Sequence, residues 1–131
     1  DVRVSQKRSL ECAKRMLGEA GQWKPTLWVG PAPIDATQQA FNTAPGVDYH
    51  FSSERLAELS RAYQTLAAEM DIPYLEVLEP MAQNDAWQNS FTQDDGVHPA
   101  GDGYALIAKK FPAGPRGEPG WSDCEKSQAF T

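Results

Sequence analysis

Histidine and cysteine are the scarcest reactive residues of this chain, two of each in 131. Cys12 falls in a helical pattern and Cys124 in a polar tail, so they do not form the clustered spacing of a metal motif. They read as two free thiols, with a disulfide tying the tail back as the second reading. Basic residues are outnumbered, 12 Lys and Arg against 18 Asp and Glu, for a formal charge of −6. That balance disfavours nucleic acid and anionic membranes, which select for basic surface. No apolar run approaches the roughly 20 residues of a membrane-spanning helix. The first residues, Asp1-Val2-Arg3-Val4-Ser5, have neither a basic n-region nor an apolar h-region, so no signal peptide is in view and the compartment stays unassigned. The abrupt opening suits a mature secreted protein or a fragment. No internal repeat is visible.

What is present suits one soluble domain, or a large piece of one. Leu10, Ala13, Leu17 and Ala20 recur at helical spacing and predict a helix over 5–20, with Gly21 as its stop and Pro25 soon after. Lys7, Arg8, Lys14 and Arg15 fall mostly off that stripe and read as a solvated face. Thr26-Leu27-Trp28-Val29 is continuously apolar, the pattern of a strand buried on both faces of a parallel sheet, and Gly30-Pro31-Ala32-Pro33 ends it. Residues 34–51 look irregular, with Asn42-Thr43-Ala44-Pro45-Gly46 as a turn cluster. A helix follows over 53–70, capped by Ser52 or Ser53, with Leu56, Leu59, Tyr63, Leu66, Ala67 and Met70 on its buried face. Asp71-Ile72-Pro73 breaks it, and 74–78 is the next strand. A long loop, 79–99, leads to a last helix over 101–111. From Pro112 onward Gly and Pro forbid a helix, so 112–131 is a tail unless Trp121 or Phe130 docks it. The order helix, strand, helix, strand, helix implies α/β layering with parallel strands. Two strands are too few for an independent doubly wound sheet, so more strands are expected from residues before Asp1 or from another chain.

The chemistry concentrates at Asp94-Asp95-Gly96-Val97-His98-Pro99, just before the last helix. A neutral imidazole is a general base near pH 7, and it works best when a carboxylate holds its second nitrogen. Asp95 lies three residues before His98, and Gly96 lets the backbone turn between them. The following helix N-terminus lowers the imidazole pKa and Asp95 raises it, a balance the sequence leaves open. Asp-x-x-His also occurs by chance, with Asp95 capping the turn and His98 a satisfied surface residue. Asp94, at the wrong spacing, reads as a solvated neighbour. His50, after Tyr49, reads as a surface or cap-region residue, or else a metal ligand with Asp95 and His98. Trp28 and Trp87 read as core and loop anchors, with a substrate-cleft wall as the second reading of Trp87.

The longer context is more specific. Asp95-Gly96-Val97-His98-Pro99, with Gly103-Tyr104 and Ile107-Ala108 after it, resembles the C-terminal catalytic block of the SGNH (GDSL-type) hydrolases. These are serine esterases and lipases on a flavodoxin-like three-layer α/β/α sandwich with parallel strands. The strand ending in Gly30-Pro31-Ala32-Pro33 resembles the family's fourth strand and its proline-rich loop. The resemblance covers residues 1–111, read as the C-terminal portion of such a domain. It implies that His98 is the catalytic base and Asp95 its orienting acid. It also implies a serine nucleophile in a Gly-Asp-Ser-type motif, and a Gly and a Gly-x-Asn-Asp segment that complete the oxyanion hole. None of these three is in the 131 residues, and the family order puts them before Asp1. Ser5, Ser9, Ser52, Ser53, Ser60, Ser90, Ser122 and Ser127 all lack a nucleophile-turn context. The implied substrate is a small ester, thioester or acetylated sugar, with no metal and no organic cofactor. Two rival expectations are a non-catalytic binding module that uses the 79–99 loop, and half of an enzyme completed by a second chain.

Overall fold

The computed structural model describes residues 3–38, 41–91 and 96–111. The first helix, α1, runs Gln6–Trp23, and the Ser5 side chain caps it by accepting from the Arg8 amide. Ala13 and Leu17 are its buried residues, the centre of the expected stripe. The helix continues through Gly21 and stops where Lys24 turns extended (φ −148°, ψ 156°). Pro25 therefore ends α1, because a residue before proline is pushed out of the helical region. The second long helix, α2, runs Ser53–Glu69 with Ser52 as its cap and packs against α1. Asp71 adopts φ 54°, and the Asp71 and Ile72 amides donate back to the Ala68 and Ala67 carbonyls. That is a Schellman stop, and it turns the chain into the next strand.

Strands β1 (Trp28–Val29) and β4 (Tyr74–Leu75) pair in parallel, as the α/β order requires, with Trp28 opposite Tyr74. Both are shorter than expected, and both are half-buried, β1 rather than being covered on both faces as its apolar run implied. The Trp28 ring meets Tyr63 of α2 at 4.5 Å and Tyr74 edge-on at 5.5 Å. Leu27 stays exposed. The Trp28 and Gly30 amides donate to Pro73 and Leu75, so the N–H and C=O of Val29 point to the opposite edge. Among the described residues no strand pairs there.

Two stretches expected to be irregular are ordered. Within 34–51, β2 (Phe41–Ala44) and β3 (Val47–Tyr49) form an antiparallel hairpin after a short 3₁₀ turn at Ala36–Gln38. The expected turn cluster was too wide. Only Pro45-Gly46 turns, and Gly46 takes the φ of 75° that the second central position of a type II turn demands. Thr43 is an extra residue in the ladder, a bulge that blurs the period-two pattern. Within 79–99, α3 (Leu78–Ala82) and α4 (Asp85–Asn89) replace a loop. The Glu76 carboxylate accepts from the Leu78 amide at 2.7 Å, which starts α3 and cuts the expected strand 74–78 short. Asn84 caps α4 through the Trp87 amide. The last helix, α5, spans Gly101–Ala108 rather than 101–111. Tail 112–131 lies outside the described residues.

The core gathers at the carboxyl end of this unit. Val77, Met81, Trp87 and Phe91 are essentially inaccessible, with Val29, Ala32, Leu75, Leu106 and Ile107 packed around them. Trp87 and Phe91 meet edge to face at 5.4 Å. This cluster joins the loop after β1 to α4 and α5. Among the described residues no helix is long and apolar enough to cross a membrane.

Candidate active site

His98 is exposed, while its neighbours are not: Gly96 and Pro99 on either side of it are buried. Each anchor has a local cause. Gly96 takes φ 78°, a conformation that disfavours any side chain, and a Cβ there would come within 2.8 Å of Gln38 Cβ and 3.2 Å of the Phe41 ring. Its carbonyl accepts from the Asp35 amide at 2.9 Å. On the other side the Ala100 amide donates to the Ser90 carbonyl at 3.0 Å. Gly103 lets α5 settle onto that junction: a Cβ would meet Pro99 Cβ at 2.5 Å and Ser90 Oγ at 2.6 Å. The motif's two glycines and its proline are thus spent on backbone approach. His98 itself stays exposed between these anchors.

The loop after β1 is tied into the same region. The Trp87 indole N–H donates to the Pro33 carbonyl at 3.1 Å, a buried bond that ties α4 to the proline-rich segment. Trp87 is therefore core, not a cleft wall. The Asp35 carboxylate accepts from the Thr37 hydroxyl (2.6 Å), the Thr37 amide (3.0 Å) and Gln38 Nε2 (2.9 Å). These bonds, the Thr37 hydroxyl foremost, hold the Asp35 carboxyl below its ordinary pKa. Gln38 Nε2 also donates to the Phe91 carbonyl at 3.3 Å. Neither Asp35 nor Gln38 stood out in the sequence. The available signal was Asp-x-Thr, a side-chain turn motif, inside a stretch read as irregular.

The expected orienting acid, Asp95, and its neighbour Asp94 lie outside the described residues. His50 is exposed after β3, in a recess of about 720 Å³ shared with Arg3, Tyr49 and Arg55. Among the described residues no three metal-ligating side chains converge. Cys12 is an exposed free thiol, and Cys124 lies outside the described residues.

The serines have structural occupations. Ser5 and Ser52 cap helices. Ser90 is buried and donates to the Trp87 carbonyl at 2.6 Å. Ser60 is buried with its Oγ 3.0 Å from the Tyr74 hydroxyl, whose pKa burial raises. That hydroxyl crosses β1 where Gly30 leaves no Cβ to obstruct it. Ser9 and Ser53 lie on α1 and at the start of α2. Ser122 and Ser127 fall outside the described residues.

No curated protein matches the chain. The sequence does match the GDSL-like Lipase/Acylhydrolase family over residues 12–106, from the middle of α1 almost to the end of α5. That span takes in the parallel strand pair, the proline-rich loop and the His98 mount, and the chain belongs to this family of hydrolases.

Proposed function

We propose that the chain contributes the base and its orienter to a serine ester hydrolase, and that the nucleophile lies outside these 131 residues. His98 takes the proton of a serine hydroxyl as it attacks an ester carbonyl, then returns it to the leaving alcohol. Asp95 holds the second ring nitrogen and stabilises the imidazolium. Backbone and Asn donors, also outside the chain, stabilise the oxyanion. The observation that carries this reading is the mount of His98: an exposed imidazole between two buried anchors, Gly96 and Pro99. A surface histidine of no consequence needs no such support.

Two further observations agree with it. Each described serine is capping a helix, buried in a hydrogen bond, or on a helix with no sharp turn to present it. The edge of β1 beyond Val29 has no described partner, which suits a larger parallel sheet. On this reading, residues 1–111 are the C-terminal portion of a three-layer α/β/α sandwich and 112–131 a separate tail. The missing strands come from the same polypeptide or from a second chain. The substrate is a small ester, thioester or acetylated sugar, a class in which acyl transfer needs only the triad and an oxyanion hole.

The pairing is tested by following the His98 imidazole through a pH titration by NMR, in the wild type and in Asp95→Asn. A neighbouring carboxylate favours the charged ring, so its loss lowers the titration midpoint. An unchanged midpoint in a folded Asp95→Asn protein removes Asp95 from the role.

A further inference from the structure

Building on the reading of His98 and Asp95 as base and orienter, we propose that Gln38 and Asp35 are positioning residues for that pair. Together they hold both ends of the stretch that carries Asp95 and leads into His98. Two backbone carbonyls bracket residues 92–95, those of Phe91 and Gly96. Gln38 Nε2 donates to the first at 3.3 Å, and the Asp35 amide donates to the second at 2.9 Å. The two donors belong to one short turn, closed on itself by Gln38 Nε2 to Asp35 Oδ2 at 2.9 Å and by Thr37 to Asp35 Oδ1.

The geometry goes beyond packing in three ways. Both partners of the Gln38 side-chain nitrogen are acceptors, so the amide has one permitted orientation and both its N–H groups are used. Gly96 lies directly against the Gln38 side chain, so close that a Cβ would collide with it. Phe91 is fully buried and Gly96 is buried, so the ends being held are themselves fixed. A base and its orienter work only within a fraction of an ångström of the productive geometry, and that tolerance needs supports of this kind. Gln38 and Asp35 act through the loop and touch no reacting atom.

The test is Gln38→Met, which keeps the length and apolar stem of the side chain and removes both donors. The readout is again the His98 titration midpoint, with Asp95→Asn as the reference. The expected result is a midpoint lowered in the same direction as in Asp95→Asn, by a smaller amount. Phe41→Leu loosens the packing against Gly96 without touching either hydrogen bond, and it is expected to leave the midpoint in place. A folded Gln38→Met protein with a wild-type midpoint, while Asp95→Asn shifts, overturns the positioning role and leaves the pair intact. An equal shift in Phe41→Leu reduces Gln38 to packing and also overturns it. A silent Asp95→Asn points instead to failure of the underlying pair. If Gln38→Met does not fold, Asp35→Asn, which loosens Gln38 from its anchor, is judged by the same outcomes.

Discussion

Gly96 shows how much of the Asp-Gly-Val-His-Pro motif is backbone engineering. Its φ of 78° and its contact with Gln38 and Phe41 leave no room for a side chain. Replacing it by alanine forces a left-handed residue and a collision at the same place. We expect Gly96→Ala to lower stability by about 1–3 kcal/mol, the usual scale for such strain, read as a lowered urea midpoint. A variant as stable as the wild type would mean the loop re-forms without the close approach to Gln38. The sequence made Gly96 legible because a glycine between an acid and a histidine has a stated purpose. Asp35 and Gln38 were not legible. Their importance is a matter of which distant carbonyls they reach, Gly96 61 residues on and Phe91 53 residues on, and no local pattern encodes that.

At the scale of elements, the long helices were readable because their apolar period and their caps agree. Ser5 and Ser52 sit where a cap is wanted, and Asp71-Ile72-Pro73 ends α2 as a break should. The errors came where a short-range signal was outranked. Gly21 looked like a stop but α1 runs on to Trp23, since glycine merely weakens a helix while Pro25 forces the residue before it out of the helical region. The hairpin at 41–49 was hidden by its bulge at Thr43, and α3 and α4 were hidden by their length, five residues each. The docking of α5 gives a sharp contrast between two glycines two residues apart. Gly101→Ala meets nothing within 4 Å and is expected to be neutral or stabilising by up to about 1 kcal/mol. Gly103→Ala drives a methyl into Pro99 and Ser90 and is expected to cost about 1–3 kcal/mol despite the better helix former. Thermal unfolding of both variants checks the pair. Equal effects would show that α5 does not rest on Gly103.

At the scale of the whole molecule, the family was legible from one block of sequence, Asp95 to Ala108, which lies almost wholly within the matched residues 12–106. The expected α/β order holds, with one parallel pair at its centre. The apolar run at Thr26–Val29 was read as a fully covered strand, yet the structure leaves it half-buried at an edge beyond which no described strand lies. A run of apolar residues records the environment a strand is built for, and among the described residues only one neighbouring strand, β4, covers this one. The central claim is that the chain holds the base and orienter of an ester hydrolase and not its nucleophile. The most direct test is reaction with a fluorophosphonate probe that modifies activated serines, followed by intact mass measurement. An unshifted mass of 14.4 kDa is expected, with a complete serine hydrolase labelled in parallel. A covalent adduct on any of the chain's own serines would contradict it.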